Sequence, residues 1–433
     1  MNITGTYGRV ILGGALLATS VGAAAQQAVT TEDVDQRLRI LERKLELEKE
    51  AADAKAKDTP STSLSDKGLS IKKGDNEFKF NALVQFDGRW FTGDTVPTTA
   101  DTFTFRRIRP TFQGSVGKLV GYRLTPEFAG SSASIVDAYI DLKFSPAATV
   151  RAGKVKGPVG LERLQGGGAT AFIERGLPTE LAPNRELGVQ LQGDLLDKTL
   201  NYTVGVYNGS RDGEDGGATD NNGRKEVAAR VFYEPTPGIG FGVGASHGSK
   251  RGATEAPRNY ATVDRRTGIS YAANTSYDGD ATRISPQGYV YTGPFGLLGE
   301  YIVSKQELVN GANRGEVSNN AWQVVGSYVL TGEDASYRGV KPKTPFQSGA
   351  EGWGALELVA RIGELTADDE GVAIGAFAAT GVESIQNLGV GVNWYLNSNV
   401  RVAVNYNQTA FSNFSGPDRE DEKSIFTRLQ LQF

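Results

Sequence analysis

From residue 78 to the C-terminal Phe433 the chain alternates apolar and polar residues with a period of two. Beyond its N-terminus no stretch approaches the ~18 consecutive apolar residues of a membrane-crossing helix. In the first such segment Phe78, Phe80, Ala82, Val84, Phe86 and Trp90 share one face, and Lys79, Asn81, Gln85, Asp87 and Arg89 share the other. Ile108, Pro110, Phe112 and Val116 then oppose Arg109, Thr111, Gln113 and Ser115, and Val120, Tyr122, Leu124 and Phe128 oppose Arg123, Thr125 and Glu127. Val136, Ala138, Ile140, Leu142 and Phe144 oppose Asp137, Tyr139, Asp141 and Lys143, and at the very end Leu429, Leu431 and Phe433 oppose Arg428, Gln430 and Gln432.

A soluble sandwich would bury its apolar faces against a second sheet. Here aromatic residues gather near strand termini (Trp90, Tyr122, Phe128, Tyr139, Phe144, Trp394, Tyr406, Phe433). That placement suits a barrel whose apolar face meets lipid between two aromatic girdles and whose polar face lines water. Strands of ~10 residues, with connections alternately short (145–147, 396–399) and long (210–225), fit roughly 16 strands into this region. The expected fold class is all-β: a transmembrane antiparallel barrel of about 16 strands, with short turns periplasmic and long loops extracellular, preceded by a short periplasmic helix or coiled coil.

The N-terminus carries Arg9, an apolar run over residues 10–21, and Ala23-Ala24-Ala25 before Gln26, the layout of a cleaved secretory signal. Residues 1–25 are therefore expected to be removed. Residues 26–57 turn charged and free of glycine after Thr31, with Val34, Leu38, Leu41 and Leu45 at heptad spacing, which predicts a helix or coiled coil. Residues 58–77, rich in Pro, Ser, Thr and Lys, read as a linker to a barrel over 78–433. With no cysteine in an exported chain, neither disulfides nor thiolate metal sites are available, and 55 glycines favour the barrel over soluble domains. A net charge of -4 argues against a nucleic-acid binder.

Catalysis finds little support. The single histidine, His247, lies in a glycine-rich run without an evident acid–base partner, and Asp137 and Asp141, on one strand face, read as lumen charges. The acidic residues 212–222 lack the ordered spacing of a calcium loop, and no phosphate-cradling glycine–lysine motif occurs. Neither a cofactor nor a metal site is expected. What stands out is the inward basic set Arg89, Arg107, Arg109, Arg123, Lys143 and Arg151, with Asp87, Glu127, Asp137 and Asp141 as counter-charges. Low-dielectric walls around a water-filled pore focus the field of such a cluster and raise the local anion concentration.

Together, Phe105-Arg106-Arg107, Val136-Asp137-Ala138-Tyr139, residues 153–162 (GKVKGPVGLE), residues 172–178 (FIERGLP), Leu330-Thr331-Gly332-Glu333, the Leu388–Leu396 strand and the terminal residues 428–433 resemble the phosphate-selective porin O and P family. The resemblance implies a 16-stranded outer-membrane barrel, a homotrimer, a third loop folded into the lumen near 157–183, and a positive track for phosphate, pyrophosphate or polyphosphate. It maps constriction arginines onto Arg106 and Arg107, a first-strand arginine onto Arg89, and a lumenal acid onto Asp137. Strict alternation lets only one of Arg106 and Arg107 face inward, so either a bulge intervenes or one points to the subunit interface. Two departures are visible. Arg109 stands where phosphate-type members place an aromatic, and residues 165–171 (QGGGATA) lack their lysines, leaving Lys154, Lys156, Arg163 and Arg175 as nearest substitutes. The competing readings are a general or sugar-permeable porin, though no connected inward aromatic series is evident, and an outer-membrane anchor whose helix tethers a periplasmic partner.

Overall fold

The computed structural model describes residues 31–92, 100–216, 223–252, 256–349 and 352–433, with the helical side chains described as far as Ala51. The expected signal segment lies outside them. Two units result, one ending at Thr59 and one beginning at Pro60. The first holds helix α1 (Thr31–Asp58), opened by Glu32 and Asp33 and laced by the pairs Arg37–Asp33, Arg39–Asp35 and Arg43–Glu46. Its heptad residues Val34, Leu38, Leu41 and Leu45 are exposed.

In the second unit the strands are β1 (Ser61–Ser65), β2 (Gly68–Lys73), β3 (Asn76–Phe91), β4 (Thr102–Val116), β5 (Val120–Glu127), β6 (Ser134–Ser145), β7 (Ala148–Val155), β8 (Glu186–Leu195), β9 (Leu200–Tyr207), β10 (Glu226–Thr236), β11 (Ile239–Gly252), β12 (Tyr260–Ala261), β13 (Thr267–Ile269), β14 (Thr275–Thr292), β15 (Phe295–Asn310), β16 (Asn313–Val329), β17 (Ala355–Thr366), β18 (Val382–Tyr395), β19 (Val400–Asn413) and β20 (Glu422–Gln432). Each from β3 onward pairs antiparallel with its neighbour, β12 and β13 forming a hairpin of their own, and β20 pairs back onto β3 from Ser424↔Phe91 to Gln432↔Leu83. The result is a closed barrel of 16 strands. Closure leaves no open edge along the β3–β20 seam, and exposed Phe86, Ile140, Val204, Leu297, Leu358 and Leu429 face outward as the alternation requires.

The stretch read as a linker is not one, since β1 and β2 form a hairpin on β3, from Leu69↔Phe80 to Lys73↔Asn76. β20 stops where Phe433 exchanges backbone bonds with Ala82, so the first residues of β3 need another partner. Ladder pairing asks only for backbone groups, and a sequence with little to bury can supply them: every residue of β1 is exposed. The alternation of turn lengths is also imperfect. Residues 311–312 join β15 to β16 at the long-loop end, while residues 330–354 form a long connection at the short-turn end.

The inward faces are not uniformly wet. On the side of β14 to β19, toward the long loops, Val159, Leu177 and Leu181 of the third loop (residues 156–185), Tyr260 and Ile269 of the fifth, and Phe377 of the seventh pack on Ile302, Leu308, Val317, Leu365 and Ile385. A second cluster joins Leu161 and Phe172 of the third loop to Phe232, Leu298, Val325 and Val359, and a third joins Ala335 and Val340 to Val329, Ala355 and Tyr395. One flank of the barrel is thus filled by a packed interior, and the polar walls of β4 to β7 border what is left.

Candidate functional site

The third loop enters the lumen at Lys156 and makes helix α2 (Leu161–Leu164). Gly160 precedes it at φ 84, a conformation that a side chain would strain. The loop then lies along the wall with its backbone carbonyls met by wall side chains. Gln85 donates to Gly167 O, Gln430 to Gly168 O, Arg401 to Thr170 O, Asn393 to Ala171 O, Arg428 to Ile173 O and Arg361 to Glu174 O, all at 2.8–2.9 Å. Within the glycine run a Cβ on Gly168 would meet the end of the Gln432 side chain and one on Gly167 would press on Arg107, whereas Gly166 faces open space.

Arg106 is the extra residue of a β-bulge, for the β3–β4 register slips between Gln85↔Arg107 and Phe86↔Phe105. Both Arg106 and Arg107 therefore reach the lumen. Arg106 grips Glu174 of the third loop with Nε at 2.6 Å and Nη2 at 3.1 Å, and Arg89 donates to the same carboxylate at 2.6 Å. Burial alone would raise the Glu174 carboxyl, but Arg106 and Arg89 hold it well below the usual range. Arg107 donates to Gln85 Oε1 at 2.5 Å, while its buried Nε has no partner.

The remaining expected residues divide by partner. Arg109 pairs with Glu127 at 2.6 Å, Arg151 with Asp141 at 2.7 Å, and Asp137 stands between Arg123 at 3.8 Å and Arg185 at 3.3 Å. Lys143 shares their face, its side chain over Gly121, and is exposed. Lys154 does not belong with them. It stands opposite Ala138, on the outward face with Ile140 and Ala152, because it is one residue out of phase with Gly153 and three with Arg151. On the third loop, Lys156 donates to Leu164 O and Gln165 O, Arg175 to Glu162 O and Gln165 O, and Arg163 to Thr179 O and Asn184. Among the described residues none of Arg107, Lys156, Arg163 and Arg175 has a carboxylate at ion-pair distance. Burial pushes Arg163 down to about 9 and Arg175 down to about 10, with neighbouring guanidiniums adding to it; both stay charged at neutral pH.

Sequence reasoning missed two things. One is a class of arginines that hold the loop: Arg361, Arg401 and Arg428 donate to its carbonyls and are 3 %, 2 % and 1 % exposed, a burial that Arg107 shares at 3 %, against 34 % for the Arg123 side chain. The other is the fifth loop, whose β12–β13 hairpin folds inward. Tyr260 donates to Asp212 at 3.1 Å, and Asp212 also receives Arg283 at 2.7 Å and Ser304 at 2.8 Å. The hairpin brings Arg265, in a left-handed conformation at φ 66, to a cleft that it shares with Arg106, Arg163, Glu174, Arg175 and Glu180. Tyrosine, valine and isoleucine alternating within a loop (YATV, GISY) were the available signal.

At the same hairpin tip Asp264 accepts a bond from Ser424 at 2.7 Å, and its other oxygen is buried without a partner. Burial pushes its carboxyl up to about 6, with Glu422 adding and Ser424, Arg266 and Arg361 opposing. Protonation below that pH removes a negative charge from the lumen. The anion-to-cation permeability ratio is therefore expected to rise as the pH falls from 7.5 to 5, and Asp264→Asn is expected to show the low-pH ratio at both. A wild-type ratio flat across this interval in bilayer reversal potentials would refute the assignment.

The pattern of the family described as "Phosphate-selective porin O and P" matches residues 78–433. Porin O of Pseudomonas aeruginosa is 24% identical over 413 residues, covering 84% of this chain and 91% of that protein. An uncharacterized protein of Caulobacter vibrioides is 28% identical over 295 residues, covering 62% of this chain and 57% of its own. Among solved structures, the outer membrane channel DcaP of Acinetobacter baumannii superposes with a TM-score of 0.56 at 13% identity, over 83% of this chain and 97% of that one. An anion-selective porin from Comamonas acidovorans gives 0.53 at 13% identity, over 83% of this chain and 100% of that one. These two likenesses establish the barrel fold.

Proposed function

The chain belongs to the phosphate-selective porin O and P family, and we propose that it passes small anions, inorganic phosphate and its short polymers suiting it best. It is a porin of the outer membrane of a Gram-negative bacterium, a channel rather than an enzyme. The observation that carries the anion reading is that Arg107, Lys156, Arg163 and Arg175 bond to neutral acceptors alone. Hydrogen bonds to amides and carbonyls orient a cation without cancelling it, so Arg163 and Arg175, charged at neutral pH, supply net positive potential beside the third loop. The carboxylate-paired Arg109, Arg123 and Arg151 are 17%, 34% and 22% exposed, and form a milder track along β4 to β7. Guanidinium groups suit phosphate because they bind it bidentately without losing charge. Weak sites in series favour release over trapping.

A homotrimer accords with this reading. β5, β7 and β9 have 8 residues each, fewer than the ~9–11 of a lipid-spanning strand. Near this low wall Phe86, Phe103, Phe105 and Trp90 pack together on the outer face of β3 and β4, the apolar cover that a neighbouring subunit would take.

Single-channel recording tests the function. Phosphate is expected to block chloride current through the wild type, and Arg107→Gln to raise the half-blocking concentration about tenfold. One charge removed a few ångströms from the anion, partly screened by pore water, is worth about 1–2 kcal/mol. The substituted glutamine keeps a bond to Gln85 within reach, so the wall stays intact. A large, unselective conductance indifferent to Arg107 would make the chain a general pore.

A further inference from the structure

The structure joins aromatic rings that the sequence leaves scattered. Phe232 of β10, Tyr289 and Tyr291 of β14, and Tyr337 of the long connection at the short-turn end come together inside the barrel. Tyr289 and Tyr337 stack with ring centroids 4.9 Å apart and planes 17° from parallel, Phe232 lies 5.3 Å from Tyr289, and Tyr291 lies 5.6 Å from it. The two stacked tyrosines are half-buried against Leu161 and Phe172 of the third loop. A cation belongs to the group: Arg230 lies over Phe232 at 4.3 Å, bonds Gln287 at 3.2 Å, and has no carboxylate at ion-pair distance among the described residues. At the far end of Tyr289 stands the Glu234 carboxylate.

The platform adjoins the cations of the third loop through a single residue. Arg175 at 2.7 Å and Lys156 at 2.7 Å both donate to Gln165 O, while the Gln165 side chain donates to Tyr337 O at 2.6 Å. A phosphate group held at Arg175 and Lys156 would thus have a ring-faced shelf beside it. That shelf ends in an acceptor, the Glu234 carboxylate, which suits hydroxyl groups. Flat aromatic faces take the C–H face of a sugar ring, and acceptors at the rim take its hydroxyls.

We propose that the pore recognises sugar phosphates, the phosphate on the third-loop cations and the sugar ring on the Tyr289–Tyr337 platform. The proposal rests on the anion reading given above and adds a substrate class to it. Inorganic phosphate fills only the first half of such a site, whereas a neutral sugar fills only the second.

The test compares glucose 6-phosphate, inorganic phosphate and glucose as blockers of chloride current through the full-length channel. Glucose 6-phosphate is expected to half-block at about fivefold lower concentration than phosphate, the size of effect that one aromatic contact contributes. Glucose is expected to have no effect at that concentration. Tyr337→Leu and Tyr289→Leu are expected to bring the ester to parity with phosphate while leaving phosphate block unchanged, and Tyr337→Phe to keep the ester's advantage. If phosphate blocks but the ester is no better, or if its advantage survives both leucine exchanges, the platform is not a subsite. If neither phosphate nor the ester blocks, the anion reading fails as well.

Discussion

Asp87→Ala is expected to destabilise the barrel more than any other single exchange at its closing seam, by about 3–5 kcal/mol. Asp87 and Arg428 are both fully shielded from solvent, and their contact is bidentate, with Nε at 2.7 Å and Nη2 at 2.8 Å. The same carboxylate accepts Arg89 at 3.0 Å, and Arg428 also donates to Ile173 O of the third loop. Removing the acid leaves a guanidinium buried and uncompensated where β20 closes on β3. The loss is read as a lower melting temperature of the detergent-folded barrel by circular dichroism. Asp87→Leu combined with Arg428→Met removes both charges, and is expected to recover much of the loss while leaving Ile173 O without its donor. Should Asp87→Ala melt with the wild type, Arg428 must have found water, and the seam would be wetter than its burial indicates.

Glu174→Gln is expected to alter selectivity most. Glu174 is shared by Arg89 and Arg106 and is the carboxylate that ties the third loop to the bulge of β4. The amide keeps a bond to one arginine and cancels neither. The site then gains one unit of positive charge, chiefly at Arg106, since Arg89 keeps Asp87 at 3.0 Å. The anion-to-cation permeability ratio is expected to rise roughly fivefold, by the potential of one unit charge at pore distances. Current noise is expected to rise with it, because the loop has lost a charge-assisted anchor. An unchanged ratio in reversal-potential measurements would show that the arginines and Glu174 lie off the ion path. The two exchanges are separable, since one changes melting and the other permeation.

The period-two pattern carried the barrel, its outward apolar face and the inward basic character of the first strands, for alternation is local: each residue's face follows from its neighbours two positions away. It placed Arg89, Arg107, Arg109, Arg123 and Arg151 on the inner wall and brought Asp137 and Lys143 with them. It failed wherever phase was interrupted or contact was distant. Lys154 was placed by charge and not by phase, and the bulge at Arg106 needed the register of β3 to be seen.

The sequence by itself determined a closed barrel, because a chain of alternating strands that must satisfy every backbone group in lipid has no other solution. Which arginines hold the third loop was decided only by the tertiary structure. Arg401 and Arg428 look like any other inward basic residues until Thr170 O and Ile173 O arrive from more than 200 positions away in the chain. A guanidinium facing a carbonyl and one facing water have the same alternation, and the loop alone tells them apart.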